Sequence, residues 1–420
     1  MRGQATEPFR RKMLFLPRPL KIAAVCAALM LILFSRRPEM FLHPEFWAED
    51  GWIFFVQADT QGTDALLTPY GGYHHFLLRI IAAAAAGLDA RWIPAAYISA
   101  NLLTVVLIAI ALFSPRWNLP NPAACALAIV LLPHTGEVFG NLTNLQWLSA
   151  LGLVWLLVAR DPLNKRQYAT DGLLAGVSGL TGIFSILLTP LFVWRAWRRK
   201  TQPSMFLASV VAITAAIQIW TLLCSADDPS SSAWPPLESI ACIVGYRLPA
   251  SLFFPMKFAV QLSRAALDGL GVLFVGLLIA AAAWKGRGQN IRGLLVAVII
   301  LLIAATIFRS RSYLWAFGSL ADGDRYFFLP KLLTAWLLIS GWSVPGLFRG
   351  AATATCGLGL LASAVDWHYE RLADHNWPEY ARRIEAGEAL SHIPVNPKGR
   401  FFDHPGRHRK EPLQNSANFQ

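Results

Sequence analysis

Two carboxylates stand side by side in the segment Pro44-Glu45-Phe46-Trp47-Ala48-Glu49-Asp50-Gly51-Trp52, with Phe54 and Phe55 directly after it. A carboxylate set among aromatic rings at a lipid interface is partly desolvated, which raises its pKa and lets it take a proton from a hydroxyl. The same pair can instead cap a helix beginning at Trp52, since acids favour helix N-termini. A cap has no need of the aromatic flanking, so Asp50 and Glu49 are read as a catalytic pair, with Asp50 as the base.

Farther along the same segment, Pro69-Tyr70-Gly71-Gly72-Tyr73-His74-His75 adds Tyr73, His74 and His75 as substrate contacts, although adjacent histidines at an interface are more often hydrogen-bonded surface groups. Arg79 follows on an apolar stretch, free to snorkel outward or to reach inward. A second polar segment, His134 to Trp147, carries a single acid, Glu137, able to orient a substrate hydroxyl or hold a cation if the helices bring it near the first. As a solvated loop residue Glu137 would do neither. Asn141-Leu142-Thr143 matches a glycosylation sequon but lies too close to the membrane to be a good acceptor. A third segment reads Arg309-Ser310-Arg311 and then Asp322-Gly323-Asp324-Arg325-Tyr326, with Lys331 beyond. An arginine entering a helix at the outer interface is a phosphate ligand because its planar fork makes two bonds to phosphoryl oxygens. Arg325 with Tyr326 is the candidate, Arg309 or Arg311 the fallback, and a loop neutralised by Asp322 and Asp324 the plain alternative. Asp322 and Asp324 also give a weak divalent-cation signal. No Walker loop, dinucleotide fingerprint or zinc-ligand spacing occurs, so no organic cofactor is expected.

These residues must be positioned by membrane helices. Of 420 residues, 55% are hydrophobic and 15% charged, more apolar surface than one soluble core of this length can hide. A bilayer accepts such stretches as helices that satisfy their own backbone. Disordered chains, disulfide scaffolds and nucleic-acid modules are excluded, and the net charge of +12 reports orientation first. Cys224 and Cys242 flank a polar loop and could pair in an oxidising compartment, buried thiols being the alternative.

Apolar stretches fall near 16–35, 92–113, 121–133, 145–159, 171–182, 183–197, 204–223, 266–284, 291–308, 326–343 and 347–365, which predicts an all-α bundle of about eleven spans. The first is basic at its start but lacks a small-residue cleavage site, and is read as an uncleaved helix. Phe76–Leu88 is laid along the outer interface, because counting it as a span would force basic linkers outside. The inner segments then hold 18 Lys and Arg against three acids, Glu7, Asp161 and Asp171. The N-terminus is inside, residues 1–365 form one membrane domain, and 366–420 form an outer polar tail. In the tail, Pro378–Leu390 reads as an amphipathic helix followed by an extended Pro-rich strap.

An acidic pair in a long first outer loop, a second-loop acid after the third span, about eleven spans and an outer tail together resemble the GT-C superfamily of membrane glycosyltransferases. These include protein O-mannosyltransferases, aminoarabinose transferases and bacterial O-antigen-modifying glucosyltransferases. The resemblance is architectural and covers about the first 200 residues. It implies transfer of a sugar from a polyprenyl-phosphate donor to a glycan or lipid-linked acceptor on the outer face of a bacterial inner membrane. Carried over by position, Glu49 and Asp50 match the acidic motif holding the base and Glu137 the second-loop acid; Trp147 joins the substrate contacts. The chain departs from the family in its Glu-Asp order, which leaves open which carboxylate is the base, and in its single Glu137, which weakens the case for a metal. A lipid or oligosaccharide transporter would use similar broken helices with acids at mid-membrane. A polysaccharide polymerase would rely on arginines in outer loops.

Reporter fusions at Lys165 and Gly399 are expected to report opposite sides of the membrane; the same side for both would overturn the charge-based orientation.

Overall fold

The computed structural model describes residues 17–225, 237–284, 289–309 and 323–407. Helices occupy each of the eleven apolar stretches: α1 (Arg18–Arg36), α3 (Ile93–Leu112), α4 (Pro122–Leu131), α5 (Leu145–Val158), α6 (Lys165–Gly179), α7 (Phe184–Arg199), α8 (Gln202–Cys224), α10 (Arg264–Ala283), α11 (Gln289–Arg309), α12 (Arg325–Gly341) and α13 (Leu347–Val365). Six of these helical segments, those at α1, α3, α8, α10, α11 and α13, are long and apolar enough to cross a membrane. The other five are too short or too polar to count by the same measure. The chain is therefore mostly helical with an apolar exterior, as leucines at 55–77% exposure on α3, α8 and α10 illustrate. In water such a surface would aggregate, whereas lipid accepts it.

Local chemistry sets the helix ends. Pro19 opens α1, where a missing N–H is harmless, and the chain leaves the helix at Arg37-Pro38. Asn164 caps α6 by accepting from the Gln167 N–H, and Ser263 caps α10 by accepting from Ala266. Helix α2 (Phe76–Ala85) is ten residues long and packs on the first loop, with Ile80 half exposed. Arg79 on α2 reaches inward: it is buried, donates to the Ile53 carbonyl at 3.2 Å and lies over the Phe54 ring.

Two features differ from the sequence reading. The region after α8 holds a further helix, α9 (Leu237–Gly245), which runs through a wide turn at Tyr246–Ala250 to Phe253. Cys242 is buried in α9, and it and Cys224 are both free thiols. Trp234, Pro235, Pro236, Arg311 and Asp322 lie outside the described residues, as does the Arg309 side chain. The tail is no loose strap. After α14 (Trp377–Glu385) the segment read as a strap pairs as an antiparallel hairpin, β1 (Leu390–Val395) with β2 (Arg400–His404), in the register Ile393 to Phe402 and Val395 to Arg400.

Hairpin and α14 share a core with the first loop, in which Phe46 stacks on Phe55 and meets Trp377 and Phe402 edge to face, with Tyr97 tilted against it. Glu45 accepts from the backbone N–H groups of His375 and Trp377 at 3.1 Å, holding α14 by its N-terminus from far away in sequence. Asp59 binds Arg407 at 2.7 Å and His404 at 3.2 Å beneath the hairpin. Residues 43–92 and 366–407 thus pack into one body at one end of the helices, on a bundle core drawn from most of the other helices.

Lys331 and Asp324, about two turns apart at the start of α12, form a buried ion pair of 2.6 Å. Lys331→Met strips Asp324 of its partner and is expected to lower stability by about 3–5 kcal/mol, read as a fall in the thermal midpoint in detergent. An unchanged midpoint would show that the pair contributes nothing.

Candidate functional site

The first loop enters the site through a strained residue. Ala48 holds φ at +39°, unusual for any side chain with a Cβ, and is fixed there by its N–H donating to the Asn396 carbonyl of the hairpin end, while the Asn396 N–H donates back to Phe46. The chain then winds into a helical turn at Asp50–Phe55, and successive side chains on such a turn point about 100° apart. The adjacent carboxylates therefore diverge. Glu49 faces a cavity of 2210 Å³, and Asp50 turns into the protein.

Asp50 is 1% exposed and both of its oxygens are occupied. Oδ2 accepts from the Leu142 N–H at 3.0 Å; Oδ1 accepts from the Thr143 N–H at 2.7 Å and the Thr143 hydroxyl at 2.6 Å. Burial pushes its pKa up to about 7 against the pull of these bonds. Asp50 is neither a cap of its own turn nor exposed to the cavity. It ties the first loop to the second. Glu49 is half-buried and accepts from the Tyr70 hydroxyl at 3.3 Å. Tyr70 and Tyr73 close a tight turn across Gly71 and Gly72, both at positive φ, and Trp52 meets Tyr70 edge on.

Tyr73 stacks on His75, whose ring is buried at the cavity wall, so that burial drives its pKa down to about 3 and keeps it neutral. His74 contributes through its backbone: its N–H donates to Gln218 Oε1 at 2.8 Å, and its carbonyl accepts from Gln218 Nε2 and the Gly182 N–H. The Gln218 amide, fully buried in α8, thereby locks the loop to the corner between α6 and α7. His75 thus faces the site, while the His74 side chain is absent from the cavity lining.

The second loop is buried rather than solvated. Asn101, in the middle of α3, donates to the carbonyls of Val138 and Asn141 and accepts from the Gly140 N–H. Asn141 is 1% exposed and its amide donates to the Glu137 and Phe139 carbonyls, which removes it as a glycosylation acceptor. Gly136 has φ of +77°, and the Tyr369 ring occupies the place a side chain would take. Glu137 points into the cavity and pairs with Arg325; its Oε2 is buried without a partner. Burial raises the Glu137 pKa and the Arg325 charge opposes that rise.

Arg325, one-third exposed, therefore meets Glu137, whereas Asp324 is taken by Lys331 and by the Thr135 N–H at 2.9 Å. Asp324 therefore does not pair with Arg325, and Asp322 lies outside the described residues. Tyr326 stands perpendicular to Trp147 at 5.3 Å, and Trp147 in turn to Phe184. Glu49, Tyr73, His75, Glu137, Trp147, Arg325 and Tyr326 all line one cavity, although they come from three distant segments.

The sequence reading missed the tail side of that cavity, formed by Asp366, Trp367, His368, Tyr369, Glu370 and Arg400, and it missed Arg37. Arg37 is buried, donating to the carbonyls of Glu370, Gly136 and Thr135. A signal for it existed: Arg36-Arg37 stands at the C-terminal end of α1, the end that the charge-based orientation expects outside, where the charge rule gives no reason for a basic pair. The opposite wall is apolar, with Leu222 and Leu223 from α8 and Leu301 and Phe308 from α11. Leu223 and Phe308 are 77% and 53% exposed, so this wall also reaches the outer surface of the bundle. Among the described residues no three His, Cys, Asp or Glu side chains converge to hold a metal ion.

Comparison of the chain with protein-family models, with curated proteins and with solved structures finds no match.

Asp50→Asn leaves Glu49 in the cavity but replaces a charged acceptor by a neutral amide, and is expected to lower stability by about 1.5–3 kcal/mol in detergent unfolding. A variant as stable as the parent would remove Asp50 from the structural role.

Proposed function

We propose that the protein is a membrane glycosyltransferase of the GT-C type, moving a sugar from a polyprenyl-phosphate donor to a hydroxyl of a glycan or lipid-linked acceptor. The observation that carries this reading is a single cavity whose polar end holds Glu49 and Arg325 and whose apolar wall opens on the exterior of the helix bundle. A donor with an isoprenoid chain and a phosphate needs both surfaces in one place, the chain in lipid and the phosphate at the interface.

In this reading Glu49 takes the proton of the acceptor hydroxyl as its oxygen bonds to the anomeric carbon. The bond from that carbon to the phosphate oxygen breaks, and its electron pair leaves with the lipid phosphate, whose charge Arg325 stabilises. Tyr70 orients Glu49 through its hydroxyl, and Trp147 and Tyr326 supply faces against which a sugar ring packs. The base thus moves from Asp50 to its neighbour, because only Glu49 reaches the cavity. The remaining short helices count as spans here, giving about eleven, with the N-terminus cytoplasmic and the tail periplasmic in a bacterial inner membrane. A transporter would carry its coupling acids at mid-membrane; Glu49 and Glu137 stand instead at the end of the bundle that carries the tail.

Glu49→Gln is expected to lower sugar transfer by at least about 10²-fold while the protein remains folded, since it removes a general base. Arg325→Lys should lose much of the activity, a point charge replacing a two-pronged fork, and Arg325→Ala nearly all of it. Transfer at the parent rate by Glu49→Gln would sink the assignment of the base.

A further inference from the structure

The Arg325 guanidinium lines the cavity, yet the carboxylate of Glu137 already occupies it. Glu137 lies in a loop fixed by Asn101, Asn141 and Asp50, so it has little freedom to follow Arg325 elsewhere. Its Oε2 is buried without a hydrogen-bond partner, so apart from the Arg325 backbone N–H and the more distant Arg37 charge its negative charge is supported by the Arg325 guanidinium. A dianionic phosphate that claims the Arg325 fork must take it from Glu137, and a buried carboxylate stripped of its only paired cation is strongly disfavoured as an anion.

We infer that Glu137 is a resident stand-in for the phosphate head group: an incoming phosphate or sulfate displaces it from Arg325, and Glu137 takes up one proton from solvent as it is released. This rests on the reading of Arg325 as the phosphate partner and adds a competitor that sets donor affinity and its pH dependence. The exchange balances in charge, one anion leaving the guanidinium as another arrives and one proton neutralising the carboxylate left behind.

No other neighbour replaces Glu137 in this role. Asp324 is held by Lys331 and the Thr135 N–H, and Tyr326 stands beside the fork on the same helix. From α1, Arg37 is spent on three carbonyls; from the tail, Tyr369 packs under Arg36 and Arg37. His134 in the same loop is buried and kept neutral among these cations. Across the cavity, Tyr70 binds Glu49, and His75 is neutral. The carboxylates of Glu49, Asp366 and Glu370 also line the cavity, so the test compares variants rather than a single curve.

The sign follows directly. Low pH protonates Glu137, frees Arg325 and tightens anion binding; high pH restores the pair and weakens it. Inorganic sulfate, which does not itself titrate between about pH 5 and pH 8, is bound to the full-length protein in detergent and followed by calorimetry in two buffers of different ionisation heat. In the parent, sulfate affinity should fall up to about tenfold per pH unit above the Glu137 pKa, with close to one proton taken up per ion bound. In Glu137→Gln the affinity should be higher by about tenfold or more near neutral pH, its pH slope reduced, and the proton uptake abolished. Glu137→Ala should repeat this without an amide in place.

A short isoprenyl monophosphate is titrated in the same way. Binding much tighter than sulfate, with the same gain from Glu137→Gln, identifies a lipid head group as the source of the anion; equal affinities point to a free phosphate. Arg325→Ala separates the two layers. Sulfate binding unaffected by Arg325→Ala overturns the phosphate reading itself. Binding lost in Arg325→Ala but unchanged in affinity and proton uptake by Glu137→Gln overturns the stand-in role alone.

Discussion

The structure turns on a loop that is buried along most of its length. Residues 133–144 join two short helices inside the protein, where each unpaired backbone N–H or C=O carries a desolvation penalty of about 1–3 kcal/mol. Their partners are five side chains from elsewhere in the chain. Lys331 donates to the Pro133 carbonyl, Arg37 to Thr135 and Gly136, and Asn101 to Val138 and Asn141; Asp324 accepts from Thr135, and Asp50 from Leu142 and Thr143. Because these side chains belong to α1, α3, α12 and the first loop, satisfying one loop fixes the mutual positions of all of them. The cavity is the space that remains beside this knot.

The same constraint sorts the charges. Asp50, Asp324, Lys331 and Arg37 are consumed in holding the loop, and each is nearly inaccessible. Glu49, Glu137 and Arg325 instead keep a face toward the cavity, which Arg37 also borders. Adjacent residues in sequence thus fall into opposite roles, Asp50 against Glu49 and Asp324 against Arg325, because one helical step separates the direction of the knot from that of the cavity.

This explains what could be read from sequence. Hydropathy located the eleven helical stretches because their periodicity and length are local properties, and the long first loop with its aromatic acidic segment marked the site for the same reason. The choice between Glu49 and Asp50 depends on the strained Ala48 and on which backbone N–H groups lie behind the turn, both products of tertiary contacts. The helix at Leu237–Phe253 was hidden by Arg247 and Pro249, which interrupt its apolar run although Arg247 is completely buried. The hairpin was hidden because Pro394 and Pro397 argue against a paired strand, yet β1 has a partner on one side only and tolerates Pro394 at its edge.

The shortness of α4, α5 and α12 follows from the same need. At about 1.5 Å per residue, helices of 10–17 residues rise roughly 15–26 Å, less than the roughly 30 Å of a hydrocarbon core. If these helices enter a bilayer, as the proposed eleven-span reading has it, the chain between them must satisfy non-helical backbone without water, which is tolerated only where protein encloses it or where it borders a wet cavity. The loop at 133–144 meets both conditions, clamped on one side by Asn101 and Asp50 and open on the other through Glu137 to the cavity. The missing helical length is therefore what makes room for the cavity, and the buried polar clamp is what allows the length to be missing. A longer α5 would need fewer buried polar partners, but it would fill the volume in which Glu49 faces Arg325.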